Sequence, residues 1–416
     1  MTLNYFVQIS ALSIGDYKSY GSLRRFGVVA RIVSIFGVCA LFSAYHFYTA
    51  IIKSLGVSTQ ALNLEQIFII GWHTQSLLSM MFIIHWQTSG SIKLIKENIL
   101  ISSTEKQITW LKLKKTCRLI LTIVVCNVTV LMINLVYNWT TFFRTRPIRV
   151  IIEFGFFRDV FHSIYSLYGP YAWHISLCIF IVTVKSLELE LREFNTNFKK
   201  ILDSHALTLF TDVFNEAQIT QNKLTRALLN KYVEHRKLAE KVTKVDEIFK
   251  FYVLIMLITG GAHTIFTVLS TIRQKGWIHM VFFAYDIFLC VWHLLGLCII
   301  PAQVYREFRA VNDQLYRHTD IWMAYNLEVY EICQMFSENV SRSSIGISLC
   351  GFILITNRVI FTVSFLHYLF AYVWYRNYIN QKSRDKNNAF RCLQHMLSFA
   401  SNCNLAVIIN HGDTPI

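Results

Sequence analysis

Residues 344–375 read SIGISLCGFILITNRVIFTVSFLHYLFAYVWY. The apolar run exceeds the roughly 20 residues a helix needs to cross a bilayer. The surplus predicts a tilted helix or one broken into two pieces. Thr356, Asn357 and Arg358 interrupt it. Charge at membrane depth is costly and usually faces a bundle interior or a water-filled path. The stretch from Ile345 to Tyr375 is therefore read as the last membrane segment. It either enters the membrane late from a cytoplasmic collar or forms a pore wall. Arg358 is assigned to the inner membrane boundary, paired with Glu307 or Asp313; an ion path is the other reading.

Six further apolar segments frame it, at about Phe26–Ile52, Gln66–Trp86, Leu119–Trp139, Val160–Val184, Phe251–Ile272 and His279–Val304. The whole chain of 416 residues is 54% hydrophobic and 16% charged, with 4 prolines, which excludes an ordinary soluble domain. The expected fold class is all-α: one polytopic membrane domain of seven transmembrane helices. The net charge of +15 is assigned to cytoplasmic loops rather than to a nucleic-acid partner. Cys39, Cys126, Cys178, Cys290, Cys298 and Cys350 lie in apolar segments, where cysteine packs as a small hydrophobe. No C-x-x-C pair occurs. The start, MTLNYFVQIS, lacks the pattern of a cleavable leader, so the first helix is expected to direct insertion.

Lysine and arginine set the expected orientation. Of the 40, 26 fall in the N-terminus and the loops after segments two, four and six, against 12 on the opposite side. The N-terminus is expected inside and the C-terminus outside, the reverse of the G-protein-coupled receptors. The loop 185–250 carries 12 of the 26, so the expectation leans on it. Ser186–Phe198 and Asn222–Ile248 contain neither Pro nor Gly. Leu224, Leu228, Leu229, Tyr232 and Val233, then Val242 and Val245, recur at helical spacing. Both stretches are read as cytoplasmic extensions of segments four and five, packed as a collar. A surface-lying amphipathic helix is the alternative. Asn138 opens a sequon on the expected outer side and is the glycosylation candidate. Asn339 opens one on the inner side, and the sequon at Asn127 lies in the membrane.

No phosphate-loop, zincin or nucleophile-elbow pattern is present, so no catalytic residue, metal ligand or cofactor is assigned. The histidines are scattered over different segments and are read as packed side chains. The outer halves of the segments are richer. They carry Trp72, His73, Gln75, Asn134, Tyr137, Tyr168, Trp173, His174, Tyr285 and Asp286. Aromatic faces with a few hydrogen-bonding groups suit a small ligand with polar and apolar sides, such as a sugar ring. An aromatic belt at the headgroups is the plainer account of any single Tyr or Trp. Asp286 stands out, because an intramembrane carboxylate needs a partner or water. Gly169-Pro170 is expected to bend segment four.

Several stretches resemble the insect gustatory receptor family, in particular its sugar-receptor branch. Trp173–Asn195, WHISLCIFIVTVKSLELELREFN, looks like that branch's fourth helix. Lys244-Val245-Asp246 is similar to the start of its fifth. Arg306–Asp313, REFRAVND, and Cys350–Val363, CGFILITNRVIFTV, resemble its sixth loop and seventh helix. The resemblance covers the chain from about Arg24 and is best from Trp173 to Val363. It implies a tastant-gated, nonselective cation channel in the plasma membrane of taste neurons. Four subunits, alike or mixed with other gustatory receptor subunits, would meet through the collar. The seventh helix would line the pore, with Thr362, Tyr368, Trp374 and Tyr375 as pore candidates. The tastant, a sugar in the leading reading, would bind in the outer half.

Two positions depart from the family pattern. Leu177 stands where the sugar branch usually has an Asp. In place of the family's closing T-Y-(five apolar)-Q-F motif, the chain offers His367-Tyr368 and Trp374-Tyr375 before a divergent end over residues 364–416. Val363-Ser364 is what an in-frame GTAAGT encodes, so this end is read either as translated intron or as a genuine divergent terminus. The other functional readings are a ligand-binding subunit that does not conduct by itself, a bitter-type tastant receptor, and a polytopic transporter. The transporter lacks support from a paired repeat, since Gly260-Gly261 has no counterpart in the first half.

Overall fold

The computed structural model describes residues 22–56, 64–95, 107–145, 155–209, 217–273, 277–323, 327–342, 344–362 and 372. Nine helices precede a small hairpin among them: α1 Ser22–Gly56, α2 Leu64–Thr88, α3 Ser91–Ile95, α4 Gln107–Thr145, α5 Gly155–Leu209, α6 Ala217–Arg273, α7 Trp277–Arg317, α8 Thr319–Met323 and α9 Leu327–Arg342. Strands β1, Ser348–Leu349, and β2, Ile353–Leu354, follow and pair antiparallel. A final helix, α10, begins at residue 357 and is described to 362.

The six earlier apolar segments each lie within one helix: α1, α2, α4, α5, α6 and α7. Among the described residues, stretches of α1, α5, α6 and α7 are long and apolar enough to cross a membrane. Helices α5 and α6 have 55 and 57 residues. At about 1.5 Å per residue each is about 80 Å long, some 50 Å more than a hydrocarbon core of about 30 Å. They must project well beyond it, as the missing Pro and Gly in Ser186–Phe198 and Asn222–Ile248 predict. Helix α5 continues through Gly169 and Pro170 without a break.

The projecting ends of α5, α6 and α7, with α9, build the collar. Phe194, Phe198, Leu228, Val242, Val245, Phe308, Val311, Cys333 and Phe336 are buried in it. Phe336 contacts Phe198 at 5.6 Å, Tyr232 at 5.5 Å and His235 at 5.1 Å between ring centroids. The buried stripe of α6 is narrower than the sequence suggests: Leu229 and Val233 face outward while Leu224, Leu228 and Val242 face in. A helix turns 100° per residue, so 228 and 229 cannot both sit on a narrow stripe. Cys126 likewise proves exposed, whereas Cys39, Cys178, Cys290 and Cys298 are buried as expected.

The last apolar stretch departs most from expectation. Residues 344–356 form no helix. Cys350 and Gly351 adopt φ of 56° and 82°, and the Phe352 N–H closes onto the Leu349 carbonyl at 3.1 Å. Two consecutive left-handed residues make a tight hairpin turn whose twist matches the flanking strands. The Ile355 N–H donates to the Ile347 carbonyl at 2.9 Å and extends the ladder. The helix of this stretch therefore starts twelve residues later than its apolar pattern begins. Arg358 is exposed on the first turn of α10, and its expected partner Glu307 is engaged with Arg192 and Asn195 instead.

A buried polar and aromatic cluster as candidate ligand site

Five helices bring polar side chains together in the half of the bundle away from the collar. Asn127 of α4 is buried. Its Nδ2 lies 2.9 Å from His174 Nε2 on α5, and its Oδ1 accepts from the Tyr285 hydroxyl of α7 at 3.2 Å. The neighbouring Trp173 donates through Nε1 to His293 Nε2 at 3.0 Å, and the two rings stack at 4.4 Å. Trp173 and His174 meet edge to face at 5.3 Å, which joins the two groups. His263 of α6 approaches Trp173 at 6.3 Å and Trp72 of α2 at 5.9 Å. One turn below His263 on α6, Thr259 accepts from Gln75 Nε2 at 3.5 Å.

Glycines allow this approach. A Cβ on Gly71 would stand 3.1 Å from His263 Nδ1, and one on Gly260 would stand 3.2 Å from Gln75 Nε2. Small residues let membrane helices come close enough for side-chain hydrogen bonds. Two polar atoms remain unused: the acceptor Gln75 Oε1 and the donor His293 Nδ1, whose ring already accepts through Nε2, are buried without a hydrogen-bond partner among the described residues. A polar atom left unpaired in an apolar setting carries a desolvation cost, and a ligand hydroxyl, which both donates and accepts, would relieve it. No member is Asp, Glu, Lys or Arg, and aromatic rings border the polar atoms, the composition typical of small-molecule pockets.

Five of the ten expected ligand residues fall in this cluster: Trp72, Gln75, Trp173, His174 and Tyr285. His73 is buried on α2. Tyr137 and Asp286 are half-buried on α4 and α7. The side chains of Asn134, Tyr168 and Asn138 lie outside the described residues, as do Tyr368, Trp374 and Tyr375. Thr362 is exposed on α10, its hydroxyl bonded to the Arg358 carbonyl at 3.0 Å. Four cluster members were not singled out from the sequence: Asn127, Thr259, His263 and His293. Their one sequence signal is polarity within apolar helices, and Asn127 first drew notice only as a sequon. Among the described residues, no group of three or more His, Cys, Asp or Glu is placed to hold a metal.

Further polar contacts lie in the collar. Asn195 donates to the Glu307 carbonyl at 2.8 Å and to its carboxylate at 3.1 Å. Glu188, fully buried, sits between Lys185 at 2.5 Å and Arg192 at 2.7 Å. Lys241 pairs with Glu190 at 2.8 Å. His235, packed on Phe308 at 4.5 Å, is held by burial at about 4, well below the usual histidine value, although a hydrogen bond with the Phe308 backbone pulls the other way.

Long helices that carry an uncharged polar cluster at one end and a charged collar at the other define a polytopic membrane protein of the all-α class. The same fold is found in the insect olfactory receptor OR5 from Machilis hrabei. That structure aligns with a TM-score of 0.60 over 89% of this chain and 96% of that one, at 12% identity. The same receptor in complex with eugenol aligns with a TM-score of 0.61 over 90% of this chain and 96% of that one, at 11% identity. No protein-family model matches the sequence, and no curated protein matches it. At such identity the likeness establishes the fold.

Proposed function

We propose that the chain is a chemoreceptor subunit of gustatory type: a tastant-gated, nonselective cation channel with sugars as the leading ligand class. The observation that carries this reading is the neutral cluster around Asn127, Trp173, His174, Tyr285 and His293, buried in a fold shared with an insect olfactory receptor. That neighbour was solved with eugenol, a small phenol. A ligand with one or two hydroxyls and an apolar face suits the cluster here: the unused acceptor Gln75 Oε1 takes a hydroxyl donor, the unused His293 Nδ1–H donates to a hydroxyl oxygen, and Trp72 and Trp173 offer ring faces.

The remainder of the reading follows. The N-terminus lies in the cytosol and the C-terminus outside, as the lysine and arginine distribution favours. Four subunits, identical or mixed with other gustatory receptor subunits, meet through the collar, where Leu229, Val233, Leu327, Tyr330 and Met335 are exposed apolar side chains. The last helix lines the pore through Thr362 and, further along, Tyr368, Trp374 and Tyr375. Asn138 is the glycosylation site, and the plasma membrane is the location. No metal or cofactor takes part.

Expression of this chain alone, with current recorded at fixed voltage during a panel of sugars and bitter compounds, tests the reading. Inward current that follows sugar application is the expected result. Current to bitter compounds alone moves the ligand class to the bitter type. Uptake of labelled sugar without current overturns the channel in favour of a transporter. Current restored only by a co-expressed gustatory subunit makes this a ligand-binding subunit that needs a partner. Sequencing cDNA across the codon for Val363 decides between translated intron and native terminus for residues 364–416.

A further inference from the structure

Helix α6 makes two attachments that the function just described does not use together. Near its middle, the Asp246 carboxylate accepts from the Ser348 backbone N–H at 2.6 Å. It also accepts the Ser348 hydroxyl, with Oδ1 at 2.9 Å and Oδ2 at 2.8 Å. The Ser348 oxygen in turn accepts the Gly351 N–H at 3.0 Å. One turn on, the Lys250 carbonyl accepts the Cys350 N–H at 3.2 Å. The whole β1–β2 hairpin is thus bolted to one turn of α6, residues 246–250. Further along the same unbroken helix, Thr259 meets Gln75, Gly260 abuts Gln75 and Leu294, and His263 meets Trp72 and Trp173. The two attachments are about 20–25 Å apart at 1.5 Å per residue.

An ionised carboxylate with two donors is a strong, directional hold. The hairpin it grips contains strained backbone, since Cys350 has φ of 56°, and non-glycine residues disfavour that region. Phe352 at the tip is 88% exposed, while Ile347 and Ile355 at the base are buried, so apolar packing shares the hold with the Asp246 carboxylate. Only five residues of chain separate Gly351 from the start of α10. Where Asp246 goes, the beginning of the last helix follows.

We infer that Asp246, through Ser348, is the positioning residue that ties the last helix to the buried polar cluster, so that a displacement of α6 at the cluster moves the start of α10. This inference rests on the cluster being the ligand site and names how its occupancy reaches the last helix. Asp246 and Ser348 touch no ligand; they act on α10 through the hairpin.

Cys350 supplies the readout, because it is partly exposed and its N–H belongs to the attachment. Permeabilised membranes containing the full chain are treated with a maleimide, and labelling of the Cys350 peptide is followed by mass spectrometry. Asp246→Asn keeps the side chain's size but loses the charge and replaces the accepting Oδ2 with an NH2 donor, and labelling is expected to accelerate at least about tenfold, the minimum for losing a charged hydrogen bond. Ser348→Ala, which keeps the backbone N–H contact, is expected to shift the rate in the same direction and carries the test if Asp246→Asn is not recovered as folded protein. Gly260→Ala then wedges α6 at the cluster, since its Cβ would press on Gln75 and Leu294. It is expected to change Cys350 labelling in the wild-type background and to lose that effect in the Asp246→Asn background.

Unchanged labelling in both Asp246→Asn and Ser348→Ala overturns the positioning role. A Gly260→Ala effect that is absent from wild type, or equal in both backgrounds, overturns the connection to the cluster. None of these readouts needs conduction. A chain that passes no current under tastants yet shows the expected labelling pattern sinks the channel reading and leaves this inference standing.

Discussion

The collar and the polar cluster share three long helices, α5, α6 and α7, yet they treat buried polarity in opposite ways. In the collar the polar groups are charged and committed. Glu188 is clamped by Lys185 and Arg192, and Glu190 by Lys241. A buried charge without a partner is strongly destabilising; the Glu188 pairs run along α5 itself, and the Lys241–Glu190 pair ties α6 to α5. In the cluster no member is Asp, Glu, Lys or Arg, and two polar atoms, the acceptor Gln75 Oε1 and the donor His293 Nδ1, are unpaired among the described residues. Neutral groups exchange partners at a cost of about 1 kcal/mol each. The lesson is a division of labour along one set of rods: the charged end holds shape and the neutral end retains capacity to bind.

The largest way to break that contrast is to hollow out the collar. Phe336 is fully buried among Phe198, Tyr232 and His235, and Phe336→Ala is expected to cost about 3–5 kcal/mol. Thermal unfolding of detergent-purified protein reads it, and a shift below about 1 kcal/mol would mean the collar does not carry the fold.

Acid supplies a slightly smaller effect at the same place. Burial keeps His235 neutral, with its folded value lowered to about 4. The unfolded chain binds the proton more readily, at about 6.5, so this contribution to stability is complete above about pH 6.5. It declines as pH falls and is gone below about pH 4, a total of about 3 kcal/mol. Melting temperatures measured from pH 7.5 to 4 should drop along that window, and His235→Phe should flatten the curve.

The cluster should respond more gently. Tyr285→Phe deletes the hydroxyl that donates to Asn127 Oδ1 and is expected to cost about 1 kcal/mol of stability. If the cluster takes the ligand, the concentration for half-maximal response moves in Tyr285→Phe while collar variants leave it in place. A response unchanged in Tyr285→Phe would remove the division of labour drawn above.

The spans and the collar were legible for simple reasons. Long apolar runs between basic loops announce membrane helices, and the absence of Pro and Gly announces their extension. Asn195, Asp246 and Glu307 stand in the stretches that carry the family resemblance and prove to be polar contacts between elements. The hairpin was not legible. An apolar run such as Ile345–Val363 reads alike as helix or strand, and the decision rests on Asp246, about a hundred residues earlier, capturing Ser348. The cluster was half legible. Composition flags aromatics in the outer halves, but whether Asn127 or Asn134 faces a neighbour depends on helix rotation, which packing settles. Leu229 and Val233 went astray for the same reason.

The reach of α5 has a consequence for how the chain is made. Phe198 leaves the ribosome 138 residues before Phe336, the ring it finally packs on. At about 5–20 residues per second, that face of α5 waits roughly 7–28 s for its partner during synthesis. Phe194 finds His235 sooner, but Phe198 lacks the Phe336 ring throughout that interval. A nascent chain of this design has reason to engage a holding factor, or the membrane surface itself, until α9 arrives.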